Sequence, residues 1–352
     1  MGIIHIFNPE HDLALAYGKE GFTPPAAAMS MRKGLGFIPA FWATEGDMVL
    51  VDDVEVAERE ARRFACHLPK VVFCEGKHLG LLARGWQGQL QVEPWGWDAS
   101  LRHTLLKAGF DEELLPSKEQ VDKVRKLSHR NSTVALLDCL VRDLPATIGE
   151  RKEARSMEDA WQWMERWGRA VVKAPWSSSG RGVRFVENLE DPNLASFVRN
   201  VILRQGSIIV EPLYDKVMDF AMEFHAYGGK KAVFAGLSLF LTNRGAYLGN
   251  SLAPEEEKWG VLRRETGSDD VLALVPALES LLGRMCDTYT GPIGVDMMVV
   301  EKEGTRYVHP CVEVNVRRTM GMAAISVAKR TIGCFKTMAV ECRNTECRLV
   351  LT

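Results

Sequence analysis

The chain has 352 residues, of which 46% are hydrophobic and 26% charged, an ordinary balance for a folded protein with two or three domains or subdomains. Its 44 Lys and Arg residues nearly balance its 46 Asp and Glu residues, and a net charge of −2 lacks the basic excess of a nucleic-acid-binding surface. No signal peptide is recognisable, and no apolar run is long enough to span a membrane. The eight cysteines include no C-x-x-C pair, so neither a zinc site nor a redox motif is indicated. We therefore expect a reduced, cytoplasmic protein without a membrane or nucleic-acid partner.

Residues 1 to 115 alternate short apolar runs with helical patterns. The runs IIHIF, MVLVDD, KVVFCEG and LQVEPWG predict four strands. Because helical patterns separate these strands, they predict a parallel α/β layer. A capping box of Ser117 and Gln120 then predicts a new helix and the start of the next part of the chain.

The rest of the chain begins with helices and becomes rich in strands. Asn131, Ser132 and Thr133 are good N-cap residues and predict the start of a helix. Ser156 is placed to cap a second helix in RSMEDAWQWMERWG. Further strands are predicted in SIIVEPL, VMDFAMEFHAY, KAVFAGLSLFL, GPIGVDMMVV and YVHPCVEVNV.

The segment VVKAPWSSSGRGVRF predicts a hairpin with a long, polar, glycine-rich tip at residues 177 to 182. Glycines allow backbone N–H groups to approach an anion, and serine hydroxyls add donors. Lys173, near the end of the first strand, adds a positive charge. This composition suits a phosphate, although it matches neither the P-loop nor the dinucleotide fingerprint. Taken alone, the segment fits a plain flexible hairpin equally well.

A second hairpin is predicted in GPIGVDMMVVEKEGTRYVHPCVEVNV. Glu313 and Asn315 are two residues apart, so they point to one face of a strand. A hairpin centred between Gly304 and Thr305 places Asp296 opposite Glu313, with Cβ atoms about 5 Å apart. The three polar side chains then form one oxygen-rich cluster.

Such a cluster in apolar sequence needs a counter-charge, because two close carboxylates repel and an unpaired buried charge is costly. Mg²⁺ with its preference for oxygen ligands meets that need. Pro310 indicates a bulge or an edge, which would shift the pairing. A solvated strand face is the alternative, and Met297 and Met298 beside Asp296 disfavour it.

A third polar group lies in VMDFAMEFHAY, where Asp219, Glu223 and His225 share one strand face. Two carboxylates on that face would suit the hydroxyls of a ligand. Taken alone, however, this pattern is that of an ordinary half-buried strand.

Three motifs follow one another along the chain: a lysine-ended strand with a Ser/Gly loop, a Glu-Pro-Leu strand end, and an Asp strand paired with a Glu-x-Asn strand. In this order they resemble the ATP-grasp superfamily. The resemblance covers about residues 118 to 330, and the N-terminal part is similar to the domain that usually precedes the grasp. It implies a mixed α/β and α+β fold: a Rossmann-like pre-ATP-grasp domain at 1–115, a first ATP-grasp lobe with the lid at 116–212, and a C-terminal lobe with the metal site at 213–345.

The resemblance also implies a role for each matching position. Residues that would bind ATP are Arg130, Lys173, Ser177, Ser178, Ser179, Gly180, Arg181 and Gly182 around the phosphates, Glu211, Pro212 and Leu213 at the adenine, and Asp219 at the ribose. Asp296, Glu313 and Asn315 would bind Mg²⁺, and Arg317 or Arg318 would stabilise the transferring phosphoryl group.

Arg130 departs from the family pattern, which usually has a lysine at this point. Arginine keeps the positive charge and adds bidentate geometry toward a phosphate, so binding remains plausible. The departure indicates a divergent member and weakens any transfer of substrates from better-known relatives.

The activity implied is that of an ATP- and Mg²⁺-dependent ligase, with Mn²⁺ as a substitute metal, that converts a small-molecule or peptide carboxylate to an acyl phosphate for attack by an amine. A homodimer is compatible with the sequence. One alternative is a catalytically silent nucleotide-binding protein with a sensing or assembly role. Another is a nicotinamide-dependent oxidoreductase, against which the missing glycine fingerprint after IIHIF counts.

The acceptor site is left open between two segments. Glu10, His11 and Asp12 follow the first strand, where ligand crevices form, but Asn8 and Pro9 there also spell an ordinary helix start. The second candidate is the polar loop that contains Arg244, Tyr247 and Asn250.

Overall fold

The structure is a computed structural model that describes residues 2–86, 90–177, 182–243, 246–343 and 346–352. The chain divides into two compact units. The N-terminal unit comprises the residues up to Arg125 with Leu248–Pro254 and Val316–Thr352, and the central unit comprises Lys126–Tyr247 with Glu255–Asn315. The sequence predicted three parts, divided at residues 115 and 212. These boundaries differ from those of the two compact units and stay a prediction. In the ranges described, no helix has both the length and the hydropathy needed to cross a lipid bilayer.

The N-terminal unit contains the predicted parallel sheet. Its strands are β1 (Gly2–Ile6), β2 (Met48–Val51), β3 (Val72–Glu75) and β4 (Leu90–Pro94), all parallel, in the order β3-β2-β1-β4. The prediction of a parallel α/β layer is confirmed. The helices of this part of the chain are α1 (His11–Tyr17), α2 (Ala26–Leu35), α3 (Val54–Arg62), α4 (Leu79–Trp86), α5 (Ala99–Lys107) and α6 (Lys118–Leu127), with 3₁₀ turns at Ile38–Phe41, Gly76–His78 and Glu112–Leu114.

Two helix starts test the capping predictions. The box at α6 is confirmed, since the Ser117 N–H donates to Gln120 Oε1 at 2.7 Å and the Gln120 N–H to Ser117 Oγ at 3.3 Å. The predicted start of α1 after Asn8 is wrong, because the helix begins at His11. The Asn8 amide is instead tied to Gly96, donating to its carbonyl at 2.9 Å and accepting its N–H at 3.3 Å.

The first sheet of the central unit is small and antiparallel. It contains β5 (Lys152–Ala154), β6 (Ala170–Lys173), β7 (Val183–Val186) and β8 (Ile208–Pro212) in the order β5-β8-β6-β7. The predicted β6–β7 hairpin is confirmed. Ala160, Met164, Val172 and Val210 are among the buried residues of its core. The accompanying helices are α7 (Val134–Asp143), α8 (Met157–Trp167) and α9 (Pro192–Gln205).

Ser156 caps α8 as predicted, accepting the Asp159 N–H at 3.0 Å. The helix predicted to start in the polar cluster at residues 131–133 does start there, because Thr133 is the N-cap residue of α7, although its side chain makes no capping hydrogen bond. The segment Arg130–Thr133 forms a 3₁₀ turn, and α7 follows from Val134. This 3₁₀ turn, rather than α7, has a side-chain cap: the His129 ring accepts the Asn131 N–H at 3.0 Å.

The remaining strands are β9 (Asp215–Tyr227), β10 (Ala232–Asn243), β11 (Ala246–Ser251), β12 (Thr290–Lys302), β13 (Thr305–Asn315), β14 (Thr337–Arg343) and β15 (Glu346–Leu351). In the central unit, β13, β12, β9 and β10 lie side by side and antiparallel. The helices α10 (Glu255–Thr266) and α11 (Leu274–Met285), joined through a 3₁₀ turn at Asp269–Ala273, pack against this sheet.

The β12–β13 hairpin pairs Asp296 with Glu313, as predicted, although its turn differs. The turn consists of Glu303 and Gly304, so the hairpin is centred one residue earlier than the sequence suggested. A bulge at Pro310 offsets the difference, because three residues of β13 stand there opposite one residue of β12. The predicted pair is therefore correct because the earlier turn and the bulge at Pro310 shift the strand register in opposite directions by equal amounts.

The C-terminal segment belongs to the N-terminal unit. Helix α12 (Met320–Thr331) and the β14–β15 hairpin contribute Val327, Met338 and Leu349 to the core that also contains Phe37 and Val49. Within that unit, the end of β11 pairs with the start of β14. The sequence did not predict this return of the chain.

One disulfide corrects the expectation of reduced cysteines. Cys342 and Cys347 lie directly opposite each other on β14 and β15 and are bonded. Their spacing of five residues matches no motif, and only the register of the hairpin brings them together.

Candidate active site

Lys173 ends β6 and is buried in the central unit. It stands opposite Ile209 on β8, which makes Glu211 its diagonal neighbour across the two strands. The Lys173 ammonium donates to Glu211 Oε2 at 2.5 Å. Burial lowers the pKa of Lys173, and the adjacent Glu211 carboxylate opposes that effect.

Glu211 is held from two sides. Its Oε1 accepts from Arg151 Nε at 2.6 Å, while Oε2 accepts from Lys173. Burial alone would raise the pKa of Glu211, but Arg151 and Lys173 lower it to about 2. Glu211 is 3% exposed, and both of its carboxylate oxygens are engaged in ion pairs.

Pro212 and Leu213 continue that segment. Pro212 ends β8 opposite Ala170, and the Leu213 N–H donates to the Arg169 carbonyl at 2.9 Å. Their adenine-binding role stays a prediction.

Arg130 brings the predicted phosphate and metal groups together. Its Nη1 donates to the Ala174 carbonyl at 2.5 Å and to Ser177 Oγ at 2.9 Å. Its Nη2 lies 2.8 and 2.9 Å from the two carboxylate oxygens of Glu313. One guanidinium thus connects the base of the Ser/Gly loop to a predicted metal ligand.

The base of the loop is closed by a hydrogen bond of 2.7 Å from the Ala174 N–H to the Gly182 carbonyl. Any side chain at Gly182 would collide with Ser177, so this close approach requires glycine. The other predicted loop residues, Ser178, Ser179, Gly180 and Arg181, lie outside the described residues.

The predicted metal ligands share one end of the β12–β13 pair. Asp296 stands opposite Glu313, and Asn315 Nδ2 donates to Asp296 Oδ2 at 3.1 Å. That bond orients the Asn315 amide, and Oδ1 is the amide atom whose chemistry suits a metal ion. Two carboxylates and an amide oxygen are the donor types that Mg²⁺ prefers, and they fit the ion.

Across the described residues, no three His, Cys, Asp or Glu side chains are placed to hold a metal together. The candidate site has two such groups, Asp296 and Glu313, plus an amide. A metal there would therefore take further ligands from water or from a bound phosphate.

No protein-family model matches the sequence, and no curated protein matches it. Solved structures do match. Biotin carboxylase from Campylobacter jejuni, in a β-γ-ATP complex, has a TM-score of 0.54 at 12% identity over 94% of this chain and 69% of that one. The biotin carboxylase domain of the Hydrogenobacter thermophilus 2-oxoglutarate carboxylase, a dimer with MgADP, ADP and bicarbonate, has a TM-score of 0.52 at 12% identity over the same shares.

The chain has an ATP-grasp fold. Both likenesses extend over nearly the whole chain, and at 12% identity they are likenesses of fold alone. The ATP-grasp fold predicted from the order of three short motifs is confirmed, while the role of each residue stays a prediction.

Asp219, the predicted ribose contact in the ATP-grasp fold, lies on β9. It accepts from Lys216 Nζ at 2.6 Å and from the Thr242 hydroxyl. On the same strand, Glu223 is 1% exposed and pairs with Gly294, which in turn pairs with Asn315. The polar face that the sequence assigned to an ordinary half-buried strand is therefore fully buried at Glu223.

Arg317 and Arg318, the predicted catalytic arginines, belong to the N-terminal unit. Arg317 forms a two-pronged ion pair with Asp12, at 2.8 and 2.7 Å. Burial would raise the pKa of Asp12, but Arg317 and His11 hold it well below its usual range. The Arg318 guanidinium lies 4.3 Å from the centre of the Trp42 ring. Their action on a phosphoryl group stays a prediction.

The two candidate acceptor segments differ in how much of them the structure describes. Glu10 accepts from Arg32 at 2.8 Å, and His11 Nε2 donates to the Trp97 carbonyl at 3.0 Å. In the second segment, burial raises the pKa of Tyr247, and Asn250 is 2% exposed. Arg244 lies outside the described residues.

Sequence reasoning missed Arg151 and gave His309 no role. Both are buried next to Glu211. Arg151 stands among Glu150, Lys152 and Glu153, a charged run that resembles a solvated surface. The pairing of β5 with β8 is the signal that locates it, and that pairing joins residues about sixty positions apart.

Proposed function

We propose that this chain is an ATP- and Mg²⁺-dependent ligase that activates a carboxylate as an acyl phosphate for attack by an amine. One observation carries the proposal. The Arg130 guanidinium, a group suited to bind phosphate, contacts both Ser177 at the base of the Ser/Gly loop and Glu313, a predicted metal ligand. The fold supports it, and so do the nucleotides bound to the two biotin carboxylases.

Each residue group has a part in this proposal. Lys173 and Arg130 bind and orient the phosphates, and the backbone after Glu211 takes the adenine. Asp296, Glu313 and Asn315 would hold Mg²⁺, or Mn²⁺ in its place, which would neutralise charge on the phosphate oxygens. The Ser/Gly loop would exclude water from the transferring group.

The reaction has two steps. A carboxylate oxygen of the acid attacks the γ-phosphorus, the bond to the β–γ bridging oxygen breaks, and ADP leaves with that electron pair. The amine nitrogen then attacks the acyl carbon, phosphate leaves with the C–O electron pair, and the nitrogen loses a proton to solvent or a basic side chain. The products are an amide or peptide bond, ADP and phosphate.

The first test is nucleotide binding followed by turnover. We expect Mg-ADP to raise the melting temperature, and ADP release from ATP to require both an acid and an amine from a panel of candidates. Asp296→Asn and Glu313→Gln should keep the fold and reduce turnover by a factor of about 100 or more, because each removes a carboxylate ligand of the Mg²⁺ that would neutralise the phosphoryl charge.

The outcomes separate the alternatives. Binding of Mg-ADP without acid- and amine-dependent ADP release would favour the silent nucleotide-binding protein. Full turnover in Glu313→Gln would remove that residue from the metal site.

Two wider properties belong to the same proposal. We expect the ligase to act in the cytoplasm, where ATP and Mg²⁺ are supplied. A homodimer is the assembly to test by light scattering.

A further inference from the structure

Arg151 is the most completely bonded charged side chain among the candidate-site residues of the central unit. It precedes β5, is 2% exposed, and its guanidinium has five N–H donors. Three acceptors are backbone carbonyls: Arg130 at 3.0 Å, Cys311 at 3.0 Å and Val312 at 2.7 Å. The other two are Glu211 Oε1 at 2.6 Å and the Thr133 hydroxyl.

The strand register explains how Arg151 reaches this place. Lys152 pairs with Val210, so the antiparallel register continued by one residue sets Arg151 opposite Glu211. Burial would lower the pKa of Arg151, but the Glu211 carboxylate raises it. The guanidinium therefore stays charged within the interior.

Three partners of Arg151 lie in, or directly beside, the segments proposed to bind ATP and the metal. Glu211 begins the adenine segment, Arg130 carries the phosphate-type guanidinium, and Val312 immediately precedes the metal-type Glu313. These residues come from three separate elements: β8, the 3₁₀ turn before α7, and β13. This one side chain bonds directly to all three elements.

We propose that Arg151 is a positioning residue that holds the adenine segment, the phosphate-binding arginine and the metal-binding strand in one arrangement. The inference rests on the proposed function, because it assigns Arg151 to the organisation of that site. Only arginine has a rigid planar fork of five donors; lysine has three donors on one flexible atom and would leave carbonyls unsatisfied.

Arg151→Lys is the primary test, with Thr133→Val as a milder one. The lysine variant keeps a buried positive charge beside Glu211 but cannot bond all five acceptors. Thr133→Val removes one acceptor of Arg151, together with the hydrogen bond of 2.9 Å from the Thr133 hydroxyl to the Arg130 carbonyl, without changing side-chain volume much. Arg102→Lys is the matched control: this arginine of the N-terminal unit is 9% exposed and donates to the Pro116 carbonyl at 2.7 Å.

Calorimetric titration with Mg-ADP separates positioning from stability. The stoichiometry reports the fraction of protein that is folded, while the dissociation constant reports the arrangement of the site. We expect Arg151→Lys to bind with near-normal stoichiometry and an affinity reduced about tenfold or more, with a smaller loss in Thr133→Val and none in Arg102→Lys. Mn²⁺ binding in the presence of ADP, followed by electron paramagnetic resonance, should weaken in the same order.

Three results would overturn the inference or its basis. Wild-type affinity for Mg-ADP in a folded Arg151→Lys protein rejects the positioning role, and so does a change in stoichiometry alone. If Arg151→Lys does not fold, wild-type affinity in Thr133→Val, with unchanged Mn²⁺ binding, rejects it. Absence of Mg-ADP binding in the wild-type protein would instead reject the proposed function, and the inference with it.

Discussion

Arg130 and Glu313 neutralise each other across the candidate site. The contact is short and largely shielded from water, since the Arg130 side chain is 5% exposed and that of Glu313 27%. A metal that binds Glu313 must compete with this guanidinium, whereas a bound phosphate would draw Arg130 away. The pair therefore favours binding of metal together with nucleotide over binding of metal alone.

Replacement of Arg130 tests this competition. We expect Arg130→Met to bind Mn²⁺ about tenfold more tightly than the wild type in the absence of nucleotide, a gain of about 1.4 kcal/mol, because Glu313 is released. The same variant should bind Mg-ADP more weakly. Titration followed by the electron paramagnetic resonance signal of free Mn²⁺ gives the first affinity, and calorimetric titration with Mg-ADP gives the second.

Arg169→Met is the matched control, since Arg169 forms an exposed ion pair with Asp215 at 2.9 Å in the same unit. It should leave Mn²⁺ binding unchanged. Equal Mn²⁺ affinity in Arg130→Met and the wild type would show that the ion pair does not hinder the metal.

Among the elements, the β12–β13 hairpin matters most for the site because it carries Asp296 and Glu313. Its two-residue turn has positive φ at both positions, 52° at Glu303 and 76° at Gly304. Such turns match the twist of the flanking strands and favour Asn-Gly. Glutamate in the left-handed region is disfavoured relative to asparagine or glycine.

The turn offers a stabilising substitution. Glu303→Asn should raise the free energy of unfolding by about 0.5–1 kcal/mol, since it removes a backbone penalty at an exposed position. Gly304→Ala should have the opposite sign by about 1 kcal/mol, because alanine resists φ of 76°. Urea unfolding of the three proteins checks both values. A loss of stability in Glu303→Asn would mean that the glutamate side chain contributes more than its backbone costs.

At the level of the folded molecule, the buried group around Glu211 makes stability depend on pH. His309 is fully buried, and neither ring nitrogen has a hydrogen-bond partner among the described residues. Burial lowers the pKa of His309 to about 3, with Glu211 opposing this effect and Arg151 and Lys173 adding to it. The Tyr214 ring packs against the imidazole at 5.7 Å.

The sign follows from proton uptake. In the unfolded chain His309 titrates near its ordinary value of about 6.5, so between pH 6.5 and 3 the unfolded state binds a proton that the folded state does not. The free energy of unfolding should fall as pH drops below about 6.5. Glu211, with its pKa of about 2 in place of 4.5, contributes a similar loss only below about pH 4.5.

His309→Phe isolates this effect. We expect the wild type to lose about 2 kcal/mol more than His309→Phe between pH 6.5 and 4.5, because phenylalanine does not titrate. His78→Gln, at an exposed position, serves as the control and should follow the wild type. Parallel pH profiles for the wild type and His309→Phe would place the titrating groups elsewhere.

The sequence was sufficient wherever the information is local. The four strands of the parallel layer and the caps at Ser117 and Ser156 follow from periodicity and side-chain chemistry. The pair of Asp296 and Glu313 was predicted from a turn placed one residue too late, and it is correct only because the bulge at Pro310 compensates. The order of three short motifs was enough to predict the ATP-grasp fold. The strands, the caps and each motif by itself depend on residues that are neighbours along the chain or across one hairpin.

Long-range pairing settled the rest. The contacts of Glu211 with Lys173 and Arg151 arise because β8 lies between β5 and β6, which no local pattern encodes. For the same reason Arg151 resembled a surface residue in the sequence. The partner of Arg317, Asp12, lies 305 positions earlier in the chain. Burial and ion pairing depend on which distant segments meet, and in this chain those meetings decide which charged side chains remain available to a ligand.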